Sequence, residues 1–410
     1  MRLGLLSIAV TIIYVSSRPT PTNAIAKSTI DSLNSFSLEL FRDLVQLKPG
    51  NFALSPIGVS TLVAQLQQGA KNASRTQLEE ALHINAGVAK SRIGTLTRKL
   101  KFIGKKMDES QLVVPKLDIV QWAFGDKIFI PSGIQVVPEF RFVLQKDFMT
   151  EIDRTDFHKP EEAMKQINSW AAGVTHNKMT NLLPEESLLP ETQLLLANVV
   201  SFKGSWLKFE NETKQNGLFS PASQETRSVP TICWKETLKA EVNLELGAQW
   251  VHLPFHGSHF VLVVVLPTTK YGLSNVLCKI KDNDLQKILN PQSLMDVDIE
   301  VPEFKISSFY FLEPLLKKLG VEDVFNSKSN LTGINRKGPL KVSHIMHSIH
   351  LEIGSTPAVK GEHSTYEEKT TLPHGGKMYL KVDHPFLAII IDKATSVPLV
   401  LARILDPTRN

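Results

Sequence analysis

Cysteine is nearly missing from this chain: Cys233 and Cys278 are the only two in 410 residues. A fold of that length cannot rest on a disulfide framework and must be held by its core. Whether the two cysteines pair is left open by the sequence. Beyond the N-terminus no run approaches the ~18 uninterrupted apolar residues of a membrane helix, and the apolar stretch at 386–391 stops at Asp392 after a strand's length. Gly-x-Ser-x-Gly, His-Glu-x-x-His and P-loop sequences do not occur, so catalysis has little support and no cofactor is expected. Fixed-period repeats and low-complexity tracts are also missing, and glycine and proline (22 and 23 residues) are near average usage. Solenoid, collagen-like and disordered classes drop out.

What is present suits one large domain. With 42% hydrophobic and 21% charged residues the chain can bury an extensive core, and residues 26–410 read as a single unit. Arg2 precedes an apolar run at 3–15, small residues and a Pro/Thr-rich stretch. That order predicts a signal peptide over 1–17, with cleavage as late as residue 24, and hence a secreted protein without a membrane span. Sequons at Asn72, Asn211 and Asn330 suit the same route.

Apolar spacing predicts an amphipathic helix over 26–47, ended by Pro49-Gly50. Ser55-Pro56 then starts a second helix, since a serine oxygen accepts an orphan N–H and proline suits the first helical position. From about residue 117 short β-rich runs take over, at 119–130, 194–202, 250–254, 260–266, 297–301, 386–391 and 398–404. Helical stretches near 160–174 and 311–319 interrupt them. Helices wrapped around large sheets, an α+β class, is the expectation. The polar stretch at 357–377 lies between two strand-like runs, and a long structureless loop in a compact domain is the first place to look for activity.

Several separated stretches together resemble the signatures of the serpin family. Asn51-Phe52-Ala53-Leu54-Ser55-Pro56, Gly69-Ala70-Lys71, Asn168-Ser169-Trp170 and Asn198 with Phe202-Lys203-Gly204-Ser205-Trp206 come in the family's order and spacing. Asp383-His384-Pro385-Phe386-Leu387, followed by Val400 to Arg403 and Asp406-Pro407, resembles its closing signature. The resemblance implies three sheets, about nine helices and an exposed reactive loop, at about 354–377, that a proteinase cleaves as bait. In inhibitory members the cleaved loop enters the main sheet as an extra strand and distorts the acylated proteinase, so stored strain does the inhibiting. The resemblance also places Ser55, Asn198 and His347 in the shutter beneath the point where that sheet opens, and Trp206 in the breach at its top.

Two registers of the loop stay open. Counted without a gap from His347, Pro357 takes the place of the hinge glycine, and Lys360 and Glu362 face the interior once inserted. A gapped alignment puts Gly354 and Ser355 on the hinge and turns Ser355, Pro357, Val359 and Gly361 inward, so that only proline offends, by removing a ladder hydrogen bond. Both lack a run of alanines. The bait then falls among Glu368, Lys369, Thr370, Thr371 and Leu372, where Lys369 suits a trypsin-like proteinase and Leu372 a chymotrypsin-like one.

Arg92, Arg98, Lys99, Lys101, Lys105 and Lys106 share a stretch whose apolar members repeat at helical spacing, before Asp108-Glu109. The charges should fan over its exposed side, and with a net charge of +5 this predicts a polyanion site. By resemblance it lies where some serpins bind heparin, which makes heparan sulfate the partner to test. Nucleic acid is not expected. His344, His347 and His350 read as strand, where His347 faces away from the other two, so no metal site is expected. The chain is thus expected to be a monomeric, secreted inhibitor of a trypsin-like cascade proteinase, of arthropod type and similar to salivary anticoagulant serpins. Its irregular hinge points to tight reversible binding. The rival is a non-inhibitory carrier, storage protein or scaffold whose loop is only a substrate.

Overall fold

The structure is a computed structural model and describes residues 22–113, 120–184, 187–206, 213–255, 259–355 and 372–410. Among them are nine α-helices: α1 (Thr22–Leu47), α2 (Pro56–Gly69), α3 (Asn72–Leu82), α4 (Ala86–Val113), α5 (Pro138–Val143), α6 (Pro160–Val174), α7 (Leu273–Lys279), α8 (Asp282–Leu289) and α9 (Glu313–Lys318). The strands are β1 (Phe52–Leu54), β2 (Val120–Ile130), β3 (Glu151–Arg154), β4 (Leu195–Trp206), β5 (Thr213–Phe219), β6 (Arg227–Asn243), β7 (Ala248–Pro254), β8 (Phe260–Pro267), β9 (Leu294–Pro302), β10 (Phe304–Phe311), β11 (His344–Ser355), β12 (His374–Lys381), β13 (Phe386–Asp392) and β14 (Pro398–Ile404).

The main sheet has five strands in the order β10-β11-β4-β2-β3. Its central strands are apolar almost without alternation because both faces are covered. One face packs Val200, Phe202, Ile349, Leu351 and Ile353 into the large core beneath α2. On the other, Ala197, Val199 and Met346 meet Ala163, Ile167 and Ala171 of α6. That helix opens with Pro160, Glu161 and Glu162, which suit a helix N-terminus. Gly125 of β2 makes the approach of α6 possible, since a Cβ there would stand 2.6 Å from Val174 Cγ1.

The remaining strands form one hydrogen-bonded path, β1-β14-β13-β8-β7-β6-β9-β12, with β5 beside β6. Three sheets were expected. The second and third are here continuous, because the 17-residue β6 pairs with β9 over Thr231–Lys239 and with β7 over Ala240–Asn243. At the start of α2 the expected cap is present: Ser55 accepts from Gly58 N at 3.3 Å and Pro56 takes the first turn.

Candidate functional site

The seam between β4 and β11 is the centre of the site. These strands run parallel and directly hydrogen-bonded, from His344 opposite Leu195 to Ser355 opposite Trp206, with no strand between them. His347, fully buried, lies across from Asn198. Its Nε2 accepts from the Ser55 backbone N–H at 2.9 Å, which leaves Nδ1 as the protonated nitrogen, donating to Asn198 Oδ1 at 2.9 Å. The Asn198 amide donates in turn to Gly125 O at 3.0 Å. One chain of bonds therefore joins α2, β11, β4 and β2. Burial holds the His347 pKa down at about 3, so the ring is neutral. The Tyr310 ring stacks on it at 6.1 Å, and the Tyr310 hydroxyl donates to Ala53 O at 2.7 Å. Gly58 has no room for a side chain: a Cβ would lie 2.2 Å from Asn198 Oδ1.

At the opposite end of the seam Trp206 is buried and stacks on Phe255 at 5.1 Å and against Trp234 at 5.4 Å. Gly204 lets Phe255 lie against the backbone, since a Cβ there would be 2.5 Å from the ring. On the outer side an ion cluster crosses the seam. Glu352 of β11 faces Lys203 of β4 in register and pairs with it at 3.5 Å. Lys178, from the turn after α6, reaches Glu352 at 3.9 Å, and His350 Nε2 stands 3.7 Å away. Partial burial raises the Glu352 pKa, but the two lysines outweigh it and the net shift is downward. Nothing in the sequence marked this cluster, because its members lie far apart along the chain.

A profile of the family described as Serpin (serine protease inhibitor) matches residues 31–407. The chain is a serpin. Mouse leukocyte elastase inhibitor A is 29% identical over 392 residues, covering 91% of this chain and 97% of the relative. The Ixodes ricinus protein Iripin-8 is 28% identical over 385 residues, covering 90% and 92%. Among solved structures, Manduca sexta serpin-12 superposes with a TM-score of 0.76 at 28% identity, covering 92% of this chain and 99% of its own. Serpins are protease inhibitors rather than enzymes. In this serpin Ser55, Asn198 and His347 are joined by hydrogen bonds near one end of the seam, and Trp206 lies at the other.

The loop between β11 and β12 falls largely outside the described residues, including Pro357, Lys360, Glu362, Glu368, Lys369, Thr370 and Thr371. Leu372 is described, and borders a cavity of about 700 Å³ beside Leu238, His252 and Leu294. Gly354 and Ser355 are ladder residues of β11, opposite Ser205 and Trp206, and the strand carries no bulge from His347 onward.

The basic stretch is on α4 as expected, but its charges do not all fan outward. Lys101 turns in to buried Asp126 at 2.7 Å, and Asp126 also accepts from Gln65 at 2.6 Å and from Thr150. Lys99 pairs with buried Asp392 at 2.9 Å. Arg98 donates to Lys146 O at 3.1 Å, while Arg92 is half-buried and Lys105 and Lys106 are exposed. The six-residue polyanion site thus loses Lys99 and Lys101, whose acidic partners could not be seen from the helix's own sequence.

Asn72 is exposed at the start of α3, and Asn330 lies beside it: Lys71 N donates to Asn330 O at 2.9 Å and Asn330 N to Ser74 Oγ at 3.0 Å. Asn211 and residues 1–21 fall outside the described residues. Cys233, half-buried in β6, accepts from Gln215 Nε2 at 3.2 Å, and Cys278 is exposed on α7; the two do not form a disulfide. His344 pairs with Glu313 at 3.5 Å and His350 with Ser307 at 2.9 Å, and among the described residues no cluster is arranged to hold a metal.

Proposed function

We propose that this serpin is a secreted inhibitor of a trypsin-like extracellular proteinase, engaging it through the loop at 354–377 with Lys369 as bait, by tight reversible binding rather than covalent trapping. The observation that carries the proposal is the unbroken register of β11 on β4, from His347 opposite Asn198 to Ser355 opposite Trp206. It supports counting the loop without a gap, so that Pro357 takes the hinge and Lys360 and Glu362 take inward positions on insertion. The inner side of the seam there is Phe202, Leu351 and Ile353. An unpaired charge set among such residues costs several kcal/mol, on the order of magnitude of one buried ion. Full insertion, which trapping needs, is opposed by that cost. Similarity to Iripin-8 of Ixodes ricinus and to Manduca sexta serpin-12 supports an arthropod origin. Lys99 and Lys101 are spent on Asp392 and Asp126, which weakens the case for heparan sulfate as a partner.

The test is incubation with trypsin and with factor Xa, following residual activity, a denaturing gel and the cleavage site by mass spectrometry. Loss of proteinase activity without a gel-stable complex is the expected result. A stable complex with cleavage after Lys369 would replace reversible binding by trapping. An unimpaired proteinase with a nicked loop would move the protein to the non-inhibitory class of carriers and scaffolds, for which Pro357 and the charged hinge also speak.

A further inference from the structure

The outer face of α4 does not end at α4. Gly94 lets the helix close on the π-helical segment Leu144–Phe148 that continues α5, since a Cβ there would stand 2.5 Å from Asp147 O. Arg98 and Lys101 fasten the contact, Arg98 to Lys146 O at 3.1 Å and Lys101 to Phe148 O and Met149 O at 3.0 and 2.9 Å. This brings two helical stripes side by side, Arg98-Phe102-Lys106 at i, i+4 spacing and Phe142-Lys146 at the same spacing. Three large apolar side chains stand in water on this surface: Phe102 is 54% exposed, Phe142 60% and Met149 50%. Lys106 sits over the Phe102 ring at 5.1 Å and Lys146 over the Phe142 ring at 5.2 Å.

We infer that this surface docks on a phospholipid bilayer carrying anionic headgroups. Exposed aromatic rings interleaved with lysine and arginine are the pattern of an interfacial contact, in which rings enter the headgroup boundary and cations meet lipid phosphate and carboxylate. A sulfated polymer would use the cations and gain nothing from the rings. Phe102, Phe142 and Met149 are therefore what separates a lipid surface from heparin as the occupant, and their grouping at the α4–α5 junction favours lipid. The orientation this implies lays the 98–106 stretch of α4 along the membrane. The contact is independent of proteinase inhibition and would serve to hold the serpin where anionic lipid is exposed.

The experiment is sedimentation of the full chain with phosphatidylserine–phosphatidylcholine vesicles, with pure phosphatidylcholine vesicles and a heparin column as parallel arms. The unaltered protein should sediment with the anionic vesicles and not with pure phosphatidylcholine. The Phe102→Ser/Phe142→Ser variant should bind roughly ten-fold or more weakly, the scale expected on losing two buried rings, with unchanged melting and unchanged heparin elution. Lys106→Ser and Lys146→Ser should each weaken vesicle binding about five-fold. Failure to bind anionic vesicles would overturn the inference. So would binding that the lysine variants reduce and the phenylalanine variant leaves intact, which would make the face a plain polyanion site.

Discussion

The two ends of the β4–β11 seam are closed by opposite chemistry. Around His347 the contacts are neutral, buried and geometrically exacting: one tautomer, one asparagine orientation and a glycine with no room to spare. Around Glu352 they are ionic and partly exposed, shared between Lys203 and Lys178 with buried His350 beside them, so one lysine can be replaced by the other or by water. A dry hydrogen-bond chain fails all at once when one member is lost, whereas a wet ion cluster yields gradually. The exacting closure of this sheet is therefore the hydrogen-bond chain at His347. The ionic contact lies toward the other end of the seam, where Trp206 is buried against Phe255 and Trp234.

The sharpest way to break this contrast is at Gly58. Gly58→Ala drives a methyl into Asn198 Oδ1, and should lower apparent stability by about 3 kcal/mol or more, read as the urea midpoint of the uncleaved protein. A tolerated alanine would mean that the His347 end of the seam is not exacting. Acid probes the same end next. The His347 pKa lies at about 3 in the fold against 6.5 in model compounds, so below 6.5 the unfolded chain takes up a proton that the folded chain refuses. Stability from this group is therefore complete above that pH and is lost as pH falls toward 3. The loss should reach about 2 kcal/mol at about pH 5 relative to about pH 7. A His347→Gln variant, though weaker throughout, should lack that part of the slope; an equal slope in both proteins would assign it elsewhere. The smallest effect is expected at the wet end. Glu352→Gln should cost under about 1 kcal/mol and converge with the parent in high salt. A salt-independent loss as large as that of Gly58→Ala would erase the distinction.

Much of this was legible in residue patterns. Alternation and apolar runs located β2, β4, β8, β13 and β14 to within a few residues, and Ser55-Pro56 announced α2 with its cap. The long β6 was not seen. Its residues alternate between buried and exposed over only part of their length and include Pro230, so no single period marks it. Only the serpin signatures singled out Asn198 and His347, which are unremarkable polar residues in apolar strands until β4 and β11 are paired. The inward turn of Lys99 and Lys101 was invisible because Asp392 and Asp126 belong to other elements. Periodicity reports which side of a helix is apolar, but a buried carboxylate can pull a lysine off the polar side.

β6 also divides the labour of the molecule. By running through both smaller sheets it welds β7, β8, β13 and β14 to β9 and, through β9, to β12. The main sheet shares no strand with that body. The loop thus leaves from the main sheet and returns to a body whose strands are stitched crosswise through β6. A cut in the loop would leave one new end on β11 of the main sheet and the other on β12, moored to that frame.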